Sequence, residues 1–186
     1  MMATTKGVNA TAVSTDDPFL FVTAADLAGN MRVSMDVAAV AAADFDADGD
    51  IVYLAQVPSN ARIVSIKTYN DDLDSGTDSA VNVGIYNGDE AFVDTDASTT
   101  AYAADAIIDE DAYAAASTAL QAAVTAGTEH AFGTAARRND PLRKVWEDAG
   151  LDSDPQVPFR IALTQTATVS GAQAGDIVMV VTYVID

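Results

Sequence analysis

Residues 44–70, DFDADGDIVYLAQVPSNARIVSIKTYN, contain an acidic turn followed by two apolar segments. The segments IVYLAQV and ARIVSIKTYN are rich in β-branched and other apolar residues, which favour strands. Pro58, Ser59 and Asn60 lie between them and are typical turn residues. The stretch therefore predicts two strands joined by a short turn. It also raises the question of whether the acidic turn before them binds a metal ion.

Strand patterns continue on both sides of this stretch. Upstream, MRVSMDV alternates between apolar and polar residues and predicts a half-buried strand, with one apolar side formed by Met31, Val33, Met35 and Val37. Downstream, AVNVGIYN alternates in the same way. The segment NGDEAF begins at the last residue of AVNVGIYN and contains an Asn-Gly pair, which indicates a hairpin turn. Several short strands separated by turns predict an antiparallel sandwich or barrel.

The second half of the chain begins with an Ala-rich stretch, residues 97–130. Its high helix propensity predicts an excursion that is part helix and part loop. A second helix is predicted in NDPLRKVWEDAG, with Pro141 in its first turn and Gly150 at its end. The segments PFRIALTQT and DIVMVVTYVID then predict two final strands.

Composition and charge exclude several classes of function. The net charge is −19, from 9 Lys and Arg against 28 Asp and Glu, which argues against nucleic acid and against an anionic membrane surface as partners. The absence of cysteine excludes disulfides, thiolate catalysis and zinc–sulfur sites. Neither a signal peptide nor a run long enough to cross a membrane is recognisable, so the protein is expected to be made in the cytoplasm of its cell.

The acidic turn partly matches a calcium-binding loop. Asp44, Asp46 and Asp48 occupy loop positions 1, 3 and 5, and Gly49 occupies position 6, as in an EF-hand. The twelfth position, however, holds Ala55 instead of a bidentate glutamate, and the segment after the loop is a predicted strand rather than a helix. We therefore favour a solvated turn in which Gly49 supplies the backbone bend, and we assign no metal ligand.

No motif in the sequence indicates catalysis or a cofactor. The single histidine, His130, is expected to be a solvated loop residue, since the sequence lacks a GxSxG elbow. Phosphate-binding GxxxxGK and dinucleotide-binding GxGxxG motifs are also lacking. The sequence thus predicts a protein that is not an enzyme, with no catalytic residue and no cofactor.

Four of the nine cations fall within eight residues and form a candidate interface, namely Arg137, Arg138, Arg143 and Lys144. A basic cluster on an acidic protein suits contact with an acidic surface, either of a neighbouring copy or of another protein. Alternatively, the cations pair locally with the acids that follow them, Glu147, Asp148 and Asp152. The sequence leaves both interpretations open.

Three stretches of the chain are arranged in a recognisable order. Near the start is MATTKGVNATAV, and near the end NDPLRKVWEDAGLDSDP precedes PFRIALTQTATVSGAQAGDIVMVVTYVID. Between them lies a longer stretch, GDIVYLAQVPSNARIVSIKTYNDDLDSGTDSAVNVGIYNGDE. It begins with a GD pair and a predicted strand, followed by a Pro-containing turn and a second strand. An acidic loop then leads to a strand that contains VGI. The opening stretch resembles the starts of structural proteins of tailed bacteriophages. From about residue 30 onward, outside the Ala-rich stretch, the order resembles head-associated structural proteins of these phages.

The resemblance implies a virion structural protein, specifically a head decoration or cement protein. Such relatives have a β-sandwich or jelly-roll fold and act as trimers on the outer surface of the head, where the partner is the major capsid protein. The expected fold is mainly β, an antiparallel sandwich or jelly roll. It is expected to have a flexible N-terminal arm (residues 1–24) and a single domain (residues 25–186), with one or two short helices in an Ala-rich insertion at about 97–150.

The alternative is a carbohydrate- or cell-surface-binding β-sandwich module, such as a fibre or adhesin component. Such a module needs exposed aromatic side chains in a patch. Tyr86, Tyr102 and Tyr113 are expected at loop or edge positions and are the candidates for that patch. A calcium-stabilised module and a hydrolase of unknown mechanism are the remaining alternatives.

Overall fold

The computed structural model describes residues 30–94 and 100–185, so the predicted arm of residues 1–24 lies outside the described part. The described residues form ten strands: β1 (Asn30–Val40), β2 (Ile51–Pro58), β3 (Arg62–Asn70), β4 (Val81–Asn87), β5 (Phe92–Asp94), β6 (Thr100–Tyr102), β7 (Ile107–Ser117), β8 (Val124–Glu129), β9 (Pro158–Gln165) and β10 (Gly175–Ile185). Two short helices, α1 (Ala135–Asn139) and α2 (Val145–Asp148), lie between β8 and β9. Single 3₁₀ turns occupy Ala42–Asp44 and Ala119–Gln121.

Eight of these strands form two four-stranded sheets. The first sheet has the order β1-β10-β3-β8, and the second has the order β2-β9-β4-β7. All pairs are antiparallel, and they are nested: β1 pairs with β10, β2 with β9, β3 with β8 and β4 with β7. This is the order obtained when one long hairpin is rolled into two sheets, and it defines a jelly roll. The predicted antiparallel β-sandwich is confirmed.

The Ala-rich stretch is largely strand, so the predicted helix within residues 97–130 is wrong. β7 pairs with β4 and β8 pairs with β3, so this stretch supplies one edge strand to each sheet. The only helical part described is the 3₁₀ turn at Ala119–Gln121. Alanine favours helix intrinsically, but pairing with strands distant in sequence and burial of Tyr113 and Leu120 outweigh that weak preference.

The Asn-Gly pair at residues 87 and 88 ends β4 but does not form the predicted hairpin. β4 pairs with β7 and β9, whereas β5 pairs with β6 in a separate two-stranded sheet. In that small sheet the rings of Phe92 and Tyr102 stack with centroids 5.0 Å apart. Phe92 also contacts Phe159 of β9, with ring centroids 5.9 Å apart, so the small sheet is anchored to the core.

The core lies between the two sheets and is built from aliphatic side chains on their inner faces. Its fully buried members include Ile63, Ile66, Val83, Ile85, Ile161, Leu163, Ile177 and Met179. Gly84 allows β4 and β7 to approach closely, because a Cβ there would lie 2.3 Å from the carbonyl carbon of Glu110. The core thus holds two broad sheets as one rigid support for the surfaces described next.

Candidate interface surfaces

Arg137, one of the four predicted interface cations, lies inside the protein. Only 1% of its surface is exposed. Its guanidinium donates hydrogen bonds to the carbonyl oxygens of Ile63 (2.8 Å) and Arg143 (3.2 Å), and its Nη1 lies 3.1 Å from Oδ2 of Asp148. Arg137 therefore joins β3 to both short helices, and it is not available to a partner surface.

Asp148 is the centre of this buried polar cluster. Its carboxylate also lies 3.7 Å from Nε of Arg143, and it accepts a 3.4 Å hydrogen bond from the hydroxyl of Tyr113. Burial raises the pKa of Asp148 to about 6, although Arg137 and Arg143 act in the opposite direction. Burial also raises the pKa of Tyr113 well above its ordinary value, so this tyrosine stays protonated and remains a donor. The local pairing with Asp148 considered from the sequence is therefore present.

The other three cations lie at or near the surface beside the short helices. Arg138 is exposed and donates hydrogen bonds to the carbonyl oxygens of Phe132 (2.9 Å) and Gly133 (2.7 Å). Arg143 and Lys144 are half-buried. Phe132 and Leu142 are exposed by 37% and 39%, so apolar side chains are interspersed with the cations. We call Phe132, Arg138, Leu142, Arg143 and Lys144 the basic surface; its role in binding stays a prediction.

The chain reaches this surface through an extended link between α1 and α2. Lys144 forms an isolated antiparallel bridge with Arg62, and the Val145 amide donates to the Ala61 carbonyl at 2.9 Å. The helix predicted from Pro141 therefore starts only at Val145, because the preceding residues pair with the start of β3. Gly150 follows its end as predicted and has a φ of 71°, which glycine adopts without strain.

The acidic segment that partly matches a calcium-binding loop forms a turn in which the aspartates do not converge. Among the described residues no three Asp, Glu or His side chains are grouped as metal ligands. The Asp50 carboxylate instead accepts a 2.8 Å hydrogen bond from the Ala47 amide, and the carbonyl of Asp46 accepts one from Val169. Gly49 has a φ of 91°, which confirms that it supplies the bend.

His130 is buried, so the expectation of a solvated loop histidine is wrong. It is 2% exposed, and its Nε2 lies 2.9 Å from the hydroxyl oxygen of Thr68, which is itself 1% exposed. Burial lowers the pKa of His130, against the opposing effect of Glu129, and favours the neutral ring. The pair links β3 to the end of β8 and is closed to a substrate.

The three tyrosines proposed for a sugar-binding patch do not form one. Tyr86 and Tyr113 are completely buried, so their expected loop or edge exposure is wrong. Tyr102 is half-buried and stacks on Phe92. The described structure therefore gives no support to the adhesin alternative.

An apolar surface that the sequence did not reveal lies on the outer face of β1 and β10. The predicted alternation of β1 is present, but its apolar side points away from the core, with Met31 66%, Val33 60%, Met35 69% and Val37 59% exposed. The opposite side carries Ala38 and Val40, which pack against the core, but also the exposed Arg32 and Asp36. Periodicity identifies two faces of a strand but not which of them is buried.

Valines of β10 extend this surface into the middle of the sheet. Met31 lies opposite Val184, Met35 opposite Val180, and Val37 opposite Val178. Directly opposed residues in antiparallel strands share a face, and these valines are half-buried. We call the surface the β1–β10 apolar face; its members are Met31, Val33, Met35, Val37, Val178, Val180 and Val184. The exposed Lys67 of β3 lies opposite Val180 on the same side of the sheet and borders this surface.

β1 lies at the edge of this surface, and its outer side is not paired with another described strand. β1 pairs with β10 and with no other strand among the described residues. The amide of Val37 donates to the carboxylate of its neighbour Asp36 at 2.8 Å rather than to a strand. Unpaired strand edges and contiguous exposed apolar faces are both typical of binding surfaces.

The fold is similar to chains in two solved phage structures. One is in the capsid asymmetric unit of cyanophage Pam1, with a TM-score of 0.54 over 85% of this chain and 86% of that chain at 16% sequence identity. Another is in the capsid of Ralstonia phage GP4, with a TM-score of 0.56 over 86% of each chain at 21% identity. Both structures are phage capsids.

These similarities establish a shared fold, and they extend over most of the described chain. Neither a scan against protein-family models nor a search of curated proteins finds a match. No helix among residues 30–94 and 100–185 is long and apolar enough to cross a membrane.

Proposed function

We propose that this chain is a non-enzymatic virion structural protein, a decoration or cement protein that binds the outer surface of a phage head and stabilises its shell. The observation that carries the proposal is the jelly roll itself, which is similar over most of its length to chains of two phage capsids. The proposed partner is the major capsid protein, and the proposed assembly is a trimer, as the sequence resemblance implies.

The surfaces of the sandwich support a structural role. Two rigid sheets present broad faces, and the basic surface suits an acidic patch on a shell subunit or on a neighbouring copy. Its exposed Phe132 and Leu142 add apolar contact area beside Arg138 and Lys144. Several weak contacts of this kind, made at once to different shell subunits, give a high overall affinity through avidity.

The buried polar groups support the non-enzymatic part of the proposal. His130 and Thr68 contact each other inside the core, and the Asp148 cluster is closed by Arg137 and Tyr113. These groups link strands and helices; Arg137 and Asp148 also form part of the wall of a cavity of about 210 Å³. Their function in the proposal is to hold the fold.

Binding to phage heads tests the proposal. Heads that lack the protein are incubated with it and sedimented, and the copies bound per major capsid protein are measured by quantitative mass spectrometry. We expect the number of bound copies to saturate near a simple fraction of the number of major capsid proteins in the shell. We also expect the double variant R138E/K144E to bind at least tenfold more weakly, while K67E, a charge reversal on β3 away from the basic surface, binds normally.

Other outcomes would change or overturn the assignment. Absence of binding together with absence of the protein from purified virions would reject a virion role. A few copies per particle would move the protein from the head lattice to the neck, tail or a fibre. Normal binding by R138E/K144E would reject the basic surface as the contact and leave the decoration role in place.

A further inference from the structure

We propose that a second copy of this chain pairs with β1 edge to edge, in the antiparallel direction and about a two-fold axis at Ser34. The first sheets of the two copies then form one continuous sheet, in which Arg32 of each copy lies opposite Asp36 of the other. The contact is independent of the proposed binding to phage heads, since it requires no shell protein. It joins two single chains, or one chain from each of two trimers.

The edge of β1 is more regular than the other three edges of the two sheets. β2, β7 and β8 each have at least one register shift against the strand beside them. β1 and β10, in contrast, keep one register from Asn30 to Val40. Natural sheets use bulges and prolines to prevent further pairing at their edges, and β1 has neither. β1 is therefore the described edge that is most open to another strand.

The backbone of β1 has free hydrogen-bonding groups at alternate residues. The amide of Asp71 donates to the carbonyl of Asp176 at 3.0 Å, so residue 176 of β10 points its backbone groups toward β3. Because these groups alternate in direction along a strand, the odd-numbered residues of β10 point toward the even-numbered residues of β1. The odd-numbered residues of β1 then point outward, in agreement with the amide of Val37, which donates to the Asp36 carboxylate. These outward groups are available to a second strand.

The charges of β1 select one register for that strand. Arg32 and Asp36 are both exposed, and about 13 Å separates them along the strand, so they do not pair with each other. With the axis at Ser34, each Arg32 faces an Asp36 of the second copy, and the pair occurs twice in the contact. Even-numbered residues form the non-hydrogen-bonded pairs, in which side chains are closest and opposite charges are stabilising. A register shifted by two residues loses both of these directly opposed pairs.

The apolar side of β1 gains a neighbour in the same register. Met31 and Val33 lie opposite Val37 and Met35 of the second copy. Val180, on the same face of β10, has a strand on each side and is half-buried. The four β1 residues have a strand on one side only and are 59–69% exposed. An added strand therefore removes apolar area from water at all four positions.

Disulfide trapping tests the register, because the chain contains no cysteine. Ser34 faces its own counterpart with Cα atoms about 4.5 Å apart, which is within the range of a disulfide. We therefore expect S34C to form a linked dimer on mild oxidation at micromolar concentration. R32C and D36C are matched controls, because each alone places its two cysteines about 13 Å apart across the contact. We expect at least fivefold more linked dimer in an equimolar mixture of R32C and D36C than in either variant alone.

Two trapping results would overturn the proposal. Links in R32C alone that are as frequent as in the mixture would indicate random encounters between exposed cysteines. Absence of linked dimer both in S34C and in the mixture would show that β1 does not pair with a second copy.

Charge reversal provides a second test on the cysteine-free chain. R32D places two aspartates opposite each other twice in the contact, so we expect it to weaken association at least tenfold. In sedimentation equilibrium at micromolar concentration its mass should be about half that of the wild type, and R32D/D36R, which exchanges the charges, should recover the wild-type mass. Both side chains are exposed, so unchanged melting curves are expected to confirm intact folding. Equal masses of the wild type and R32D would contradict the proposal.

Discussion

The guanidinium of Arg137 lies 3.1 Å from the carboxylate of Asp148, and both side chains are almost completely buried. Around this ion pair, Tyr113 from β7 and the carbonyl of Ile63 from β3 complete the hydrogen bonding. The pair thus connects α1 and α2 to both sheets. A buried ion pair of this kind is costly to break, since removal of one partner leaves the other charge uncompensated.

Truncation of Arg137 is therefore expected to destabilise the protein strongly. We expect R137A to lower the free energy of unfolding by about 3–5 kcal/mol, because Asp148 would remain buried without its partner. The neighbouring R138A removes an exposed cation and should change stability by less than about 0.5 kcal/mol. Urea titrations of both variants provide the comparison. Similar small losses in the two variants would contradict the structural role of Arg137.

The raised pKa of Asp148 predicts a specific pH dependence. With a pKa of about 6 in the folded protein, Asp148 holds its proton in a range where the unfolded chain, with a pKa of about 4, has lost it. Its contribution to the unfolding free energy therefore falls as pH rises from about 4 to about 6, and is constant above that range.

The variant D148N isolates this contribution. We expect the stability of the wild type relative to D148N to fall by roughly 2–3 kcal/mol between pH 4 and pH 6.5. Urea titrations at half-unit pH intervals give the difference in unfolding free energy between the two proteins. The contributions of other titrating groups, such as His130, largely cancel in this difference. A difference independent of pH would show that Asp148 has the same pKa in the folded and the unfolded chain.

Two glycine substitutions are expected to differ in cost. In G84A the new Cβ would overlap the Glu110 backbone, at 2.3 Å, and separate β4 from β7. We expect a loss of at least about 2 kcal/mol. In G49A there is nothing within 4 Å of the new Cβ, and the cost arises only from the φ of 91°; we expect about 1 kcal/mol. Thermal melts of both variants test whether G84A is the more costly substitution. Equal losses of stability in the two variants would contradict this expectation.

Calcium is expected to leave stability unchanged. The loop with Asp44, Asp46 and Asp48 does not bring its carboxylates together, and the Asp50 side chain is engaged with a backbone amide. Melting curves with EDTA and with millimolar calcium should therefore coincide. A rise in melting temperature with calcium that is lost in D46N/D48N would instead establish a site in this loop.

The strands were predictable where the sequence carries local signals. β2 and β3 have β-branched residues on both sides of the turn at Pro58, Ser59 and Asn60, so their positions follow from short-range preferences. β7 has no such signal, because alanine favours helix and its partner β4 is distant in sequence. Pairing of this kind depends on tertiary contacts that propensity does not encode.

The surfaces were predictable only in part, for a similar reason. The sequence marks a cluster of cations, but burial of Arg137 depends on the position of Asp148 in the folded chain. Likewise, the alternation of β1 separates Met31 and Met35 from Ser34, yet the choice of inner face depends on how β1 docks on β10. Ser34 and Ala38 are small, but Arg32 and Asp36 share their side of β1, so the local sequence gives no consistent sign of which face is buried.

The nested strand pairing has a consequence for synthesis of the protein. β10 lies between β1 and β3, within its sheet, yet it is the last of the ten described strands in chain order and so leaves the ribosome after the other nine. Until β10 emerges, β1 and β3 have no common neighbour, and the chain between β1 and β10 cannot close into the first sheet. The sandwich should therefore fold slowly and only after β10 has been synthesised, and a nascent chain cut short before Gly175 should be recognised as unfolded by cellular proteases.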